Sequence, residues 1–328
     1  MKKFTKLALS ASVAFSANAM AMQAMDDASL SATTGQDGLT IGIGISRVDI
    51  EKLYIHDNDG LTTPGITGGT GGAGAIYIKG DGKAGSATET HGVVIKANYK
   101  DSGSYLLTSR NLADLVIDSD AGGGDPFINI AAAVSGLDIK IGEIGVVASG
   151  AEPTAGATSI RRGGQGQENA ILTGLGIETG QLYANIQLGA SPQGAMIKLN
   201  ATMKGGLTIT DLGILDNSTK EGSGDGSAGN RAAGVIHLDK IQLADANSRD
   251  LVLNQAISVI GQEGADKGYV KIVSTSGAHD NYIKGIHLGS KTAASIGDME
   301  VQGLQTYYGS PVVGGTYTPG AIITIRGH

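Results

Sequence analysis

The chain has 328 residues, 24 Lys+Arg against 31 Asp+Glu, a formal charge of −7 and no cysteine. An acidic balance with no basic patch gives no electrostatic reason to seek nucleic acid or anionic lipid, and the missing cysteine removes disulfide frameworks and thiolate metal sites. With 53 glycines, 4% aromatic residues and no tryptophan, the expected core is thin, aliphatic and full of turns; organised runs of Ile, Val and Leu argue against disorder.

The N-terminus carries the three parts of a secretory signal. Lys2, Lys3 and Lys6 form the positive region, Leu7 to Ala17 the apolar stretch, and Ala17-Asn18-Ala19 and Ala19-Met20-Ala21 offer cleavage sites of the A-x-A type. The apolar stretch is shorter than the roughly 20 residues that span a bilayer. The expectation is a signal peptide over 1–21, cut after Ala19 or Ala21, with no transmembrane segment afterwards. Losing the three lysines would take the formal charge from −7 to −10. No cysteine follows to take a lipid, so the expected destination is the cell surface or beyond, reached through the periplasm.

Residues 22–38 read as a short helical motif, with Asp26 or Asp27 as N-cap and Gly35 as the left-handed stop. From Leu39 onward the pattern is strand after strand. LTIGIGIS (39–46), AIYIKG (75–80), GVVIKANY (92–99), FINIAAAV (127–134), LDIKIGEIGVV (137–147), AMIKLNATM (195–203), LTITDLGIL (207–215), VIHLDKIQL (235–243), YVKIVS (269–274) and AIITIRG (321–327) mostly alternate apolar with polar or small residues. None of the six prolines falls inside these runs. Glycine-rich passages at 65–74, 122–124, 150–166 and 222–229 read as surface loops. The expectation is an all-β chain whose residues 39–328 form one β-rich repeat domain.

A loose pattern recurs around Leu53, Leu115, Ile144, Leu212 and Ile241, with steps of 29 residues from Leu115 to Ile144 and from Leu212 to Ile241. Such a period suggests a glycine-rich β-solenoid or β-helix-like domain, each coil burying its aliphatic face against the next and glycines turning the corners. A β-sandwich whose strands merely share a composition is the alternative.

Chemical motifs are sparse. Gly69-Thr70-Gly71-Gly72-Ala73-Gly74 matches G-x-G-x-x-G by letter, but a strand follows it where a dinucleotide site needs a helix. In GIHLGSKT (285–292) Ser290 separates Gly289 from Lys291, which a phosphate loop does not allow. Asp57-Asn58-Asp59-Gly60 and Asp118-Ser119-Asp120 with Asp125 could gather calcium, yet Gly68 stands where an EF-hand needs its last carboxylate. The histidines (His56, His91, His237, His279, His287, His328) form no H-x-H or H-x-x-x-H pair and read as surface or turn residues. The expected assignment is therefore no catalytic residue, no cofactor and no metal site.

One segment carries a resemblance. Met25-Asp26-Asp27, Leu30-Ser31 and Thr34-Gly35-Gln36-Asp37-Gly38, directly behind the signal and followed by an aliphatic strand, resemble the start of the Fil-type family of exported gammaproteobacterial pilus-system proteins. Met25 stands where many relatives have leucine. The resemblance implies a pilus-associated or cell-surface role, with other surface proteins, or further copies of the chain, as partners. Residues 22–38 would then cap the β domain or dock a partner. The expected function is that of a non-catalytic structural or interaction protein. The alternative is a β-helix that binds or degrades extracellular polysaccharide.

Overall fold

The structure, a computed structural model, describes residues 38–62, 67–265, 267–309 and 315–327. The chain divides into two compact units, Met1–Leu39 and Thr40–His328. The signal peptide and the helical motif expected over 22–38 lie outside the described residues, apart from the exposed Gly38.

The second unit is a meander. Its first pass is β1 (Leu39–Ile43), β2 (Arg47–Ile50) and β3 (Lys52–His56), and the second returns as β4 (Gly74–Lys79), β5 (Val93–Ala97) and β6 (Ala113–Asp120). The third runs out as β7 (Phe127–Val134), β8 (Leu137–Ile141) and β9 (Glu143–Ser149). The fourth comes back as β10 (Gly164–Leu172), β11 (Leu175–Glu178) and β12 (Leu182–Gly189). Then follow β13 (Ile197–Met203) with β14 (Leu207–Asp216), and β15 (Gly234–Asp245) with β16 (Leu251–Ile260). The seventh pass is β17 (Tyr269–Ser274) with β18 (His279–Leu288). The last holds β19 (Met299–Leu304), a small hairpin of β20 (Tyr307–Gly309) and β21 (Tyr317–Pro319), and β22 (Ala321–Ile325).

Each pass crosses up to three rows, and the strand order is the same in all of them. The first row is an eight-stranded sheet, β1-β6-β7-β12-β13-β16-β17-β22. The second row follows β2-β5-β8-β11-β14-β15-β18-β19 and the third β3-β4-β9-β10-β14-β15-β18; they merge into one twelve-stranded sheet because β14, β15 and β18 run through both. The registered pairings are antiparallel throughout.

The register explains why aliphatic residues with so few aromatics suffice. Ile117, Ile130, Ile186, Ile197, Ile257, Ile272 and Ile323 stand directly opposite one another across the first row. Val48, Ile95, Ile139, Ile177, Ile209, Ile241, Ile283 and Met299 do the same across the second. In the third row the ladder is Leu53, Ile78, Ile144, Leu172, Ile214, Ile236 and Leu288. Cross-strand side-chain contact is the unit of sheet stabilisation, and aliphatic residues repeat it at every step, all of them isoleucine in the first row.

The expected solenoid is not what these sheets form. The coils of a solenoid stack in parallel, whereas here sequence neighbours pair antiparallel and neither sheet closes; the sandwich alternative fits. The repeat markers scatter accordingly: Leu115 lies in the first row, Ile241 in the second, and Leu53, Ile144 and Leu212 in the third. They share the pattern of a half-buried strand rather than a place in a repeat. The glycine-rich passages at 122–124 and 222–229 link β6 to β7 and β14 to β15, whereas the loop expected over 150–166 links β9 to β10 only as far as Gly163, Gly164 to Gly166 belonging to β10.

Two break lines separate the rows, where ladder hydrogen bonds stop and side chains take over the backbone groups. At the first, buried Ser135 accepts from the Leu107 N–H at 3.0 Å and donates to the Asn111 carbonyl at 2.6 Å. Asn98 donates to the Thr179 carbonyl at 3.1 Å, and the Leu137 N–H donates to Thr179 Oγ1 at 2.9 Å. Leu106, Leu107, Ala201, Met203 and Leu251 are buried beside this line, while Tyr77, Ala75 and Val147 form a separate small core in the third row with Tyr54 against it.

Candidate functional site at the second break line

Between the second and third rows the ladder skips a residue on successive strands. β14 pairs β15 through Thr210–Lys240 and Leu212–Leu238, and β15 pairs β18 through Leu238–Ile286 and Lys240–Lys284. Asp211, Asp239 and Gly285 fall in these gaps. Asp211 adopts a left-handed φ of 64° and Gly285 one of 66°; aspartate tolerates that region better than most residues because its short side chain bonds locally. The break continues to Asp298, whose Oδ1 accepts the Gly285 N–H at 2.8 Å.

Just inside the line, His237 and His287 stand directly opposite each other, their ring centroids 5.8 Å apart. His237 is 1% exposed, and neither of its ring nitrogens has a hydrogen-bond partner among the described residues. Its Nε2 lies 3.5 Å from Asp211 Oδ1 and 3.4 Å from Asp239 Oδ1, close enough for charge to be felt but misaligned for a hydrogen bond. His287 Nε2 is 3.4 Å from the same Asp239 oxygen, and its Nδ1 sits 2.6 Å from the Ala293 carbonyl. Lys291 pairs with Asp211.

The charges sort the two rings. Burial, then the Lys291 ammonium, lowers the His237 pKa below the ordinary imidazole value, against the pull of Asp211 and Asp239. His287 is shifted upward, first by its bond to the Ala293 carbonyl and then by Asp239. Burial opposes ionisation of Asp211, but the bond and charge of Lys291 outweigh it and hold the carboxyl below its usual range. The outcome is a neutral ring beside a more basic one under a roof of paired carboxylates. Among the described residues no set of three or more His, Cys, Asp or Glu side chains is arranged to hold a metal ion.

The reading of the histidines as surface or turn residues is corrected at His237. Spacing rules for H-x-H search one strand, and this pair is made by strand register. The available signal was the twin triplet Ile236-His237-Leu238 and Ile286-His287-Leu288. Lys291, from the stretch resembling a phosphate loop, bonds to a carboxylate here. Of the segment singled out for docking or capping, Met25, Asp26, Asp27, Leu30, Ser31, Thr34, Gly35, Gln36 and Asp37 lie outside the described residues, and Gly38 is exposed with a φ of 100°. In the acidic stretches Asp57 accepts the Asp59 N–H at 3.3 Å, Asn58 accepts from Arg162 at 2.6 Å, and Asp120 accepts the Gly122 N–H at 2.6 Å at the end of β6. Gly69–Gly74 leads into β4, a strand.

A polar cleft of about 400 Å³ lies elsewhere on the second row, lined by Tyr105, Gln242, Arg249, Asn281, Tyr282 and Glu300 among others. No described helix is long and apolar enough to cross a membrane.

Fold and site together define an all-β, antiparallel protein with open sheet edges and a polar seam. Residues 1–101 match a family of unknown function (DUF6160), a likeness confined to the N-terminal part of the 328-residue chain. No curated protein and no solved structure matches.

Proposed function

We propose that the chain is an exported structural or interaction protein of the cell surface, associated with a pilus system, and that it acts through its sheet surfaces rather than through catalysis. The observation that carries this reading is the set of three aliphatic ladders in rows that do not close among the described residues, so that there β1, β2, β3, β19 and β22 each pair on one side only. Unpaired strands are templates for another chain. The secretory pattern at the N-terminus and the segment from Met25 to Gly38 support the surface location. Fractionation of producing cells, with surface labelling of intact cells and sheared pili, tests it. Label in the surface or pilus fraction is the expected result, and confinement to the cytoplasm would refute it.

A second reading, binding of extracellular polysaccharide, is favoured by the cleft around Tyr282. There Arg249 has no ion-pair partner among the described residues, and two tyrosines flank amide and carboxylate side chains. Aromatic faces with nearby hydrogen-bonding groups suit sugar rings. Loss of glycan retention on Tyr282→Ala in a pull-down from polysaccharide resin would support it.

A further inference from the structure

The two ends of the second row are not equivalent, and in the first row both edge strands carry exposed aliphatic residues. In the second ladder the members are half-buried from the edge residue Val48 to Ile283, and Met299 at the last step is 45% exposed. In the first, Ile117 to Ile272 are half-buried and Ile323 is 53% exposed, while Leu39 and Ile41 on the opposite edge strand β1 are 56% and 37% exposed. On the last pass Ile322 and Ile325 are also exposed, so β22 and β19 present a strand edge with no neighbouring strand among the described residues. The third ladder stops one pass earlier, at Leu288, where the 289–298 connection comes back with an isolated bridge from Ser295 to His287.

We infer that this edge takes the first pass of a second copy of the same chain, so that β19 pairs with β2 and β22 with β1 in an open-ended, head-to-tail stack; the inference rests on the structural reading above. The number of passes is even, so the last pass of one copy and the first of the next run in opposite directions, and the antiparallel alternation continues unbroken across the junction. The ladder fixes the register. Met299 of one copy stands opposite Val48 of the next, which sets Glu300 opposite Arg47. Both side chains are exposed in the single chain, and among the described residues Arg47 pairs with its neighbour Asp49, at 2.6 Å. Asp298, just before the strand, is turned away onto the Gly285 N–H and the Tyr282 hydroxyl. An edge joining a different edge makes a heterologous contact, which grows without a fixed limit unless its rotation closes a ring.

The secreted chain, purified from producing cells, is followed by sedimentation velocity and electron microscopy over rising concentration. The expected result is a mass that climbs in steps of one chain without a plateau. Ile323→Lys, checked for folding by circular dichroism, buries a charge at the end of the ladder and is expected to hold the chain at single-copy mass. Glu300→Arg, at an exposed site, sets two arginines opposite each other and is expected to do the same, while Arg47→Glu with Glu300→Arg regains assembly. A single-copy mass at every concentration, a plateau at two copies, or a charge-swapped variant that stays dissociated would each overturn the inference. Surface labelling in the same cells separates the two levels. A labelled but single-copy protein removes the stack and leaves the surface role; an unlabelled protein removes the surface role itself.

Discussion

Tyr77 lies over Gly145, its direct partner on the neighbouring strand, and a methyl group on Gly145 would collide with the phenol ring. The ring is buried against Ala75 and Val147, and its hydroxyl donates to Glu143 Oε1 at 2.9 Å. An aromatic side chain covering a cross-strand glycine fills the space that the glycine leaves in the sheet. Tyr77→Ala should cost about 3–5 kcal/mol, the range for emptying a large buried aromatic site. Gly145→Ala should cost about 1–3 kcal/mol by overpacking. Urea titrations measure both, and an unshifted midpoint for Gly145→Ala would refute the packing argument.

Ser135 closes the first break line by serving two backbone groups at once. Ser135→Ala removes the partner of the buried Leu107 N–H and of the Asn111 carbonyl, and should destabilise by about 1–3 kcal/mol. Amide exchange at Leu107 is the sharper readout. Protection there should fall, and retained protection would show that another acceptor serves the group.

The pH dependence follows from the direction of the His237 shift. Its folded pKa lies below the unfolded value of about 6.5, so the unfolded chain binds more protons as pH falls through that range. The stability held by the neutral ring is complete above about pH 6.5 and is lost on acidification towards the folded pKa. His287, shifted upward, contributes in the opposite sense: its share is present below about pH 6.5 and lost as pH rises through its folded value. His237→Gln should flatten the acid limb of a stability–pH curve. An unchanged slope would place the acid sensitivity elsewhere.

Asp211 and Lys291 control that ring from outside. Asp211→Asn keeps a residue that tolerates the left-handed φ but removes a carboxylate that favours the imidazolium. The His237 titration, followed by nuclear magnetic resonance, should move still lower. A rise would contradict the assignment of Asp211 as a stabilising charge.

Gly285→Ala tests the seam itself. A Cβ there meets the Asp239 carboxylate, and the φ of 66° is strained for any L side chain. Both effects should lower thermal stability, with loss of the His287–Asp239 approach.

Much of the fold was legible in the chain. Alternation in runs such as FINIAAAV and YVKIVS marked half-buried strands, and the glycine passages marked hairpin ends, because both are local properties of the backbone. The stacking mode was not legible. A strand that pairs antiparallel with its neighbour and one that stacks in a solenoid need the same alternation of apolar and polar residues, so markers such as Leu212 and Ile241 suggested a repeat that register places in different rows. The histidine cluster was hidden for a related reason: His237 and His287 are 50 positions apart in sequence and meet only because Ile236 faces Leu288.

By itself, then, the sequence determined an all-β chain with an aliphatic core and loops at its glycines, since composition and period act residue by residue. Only the tertiary structure decided that isoleucines align into ladders, that Asp211, Asp239 and Gly285 share one break line, and that a buried histidine sits beneath them. Those are consequences of register, and register is fixed when whole strands choose which faces to bury together.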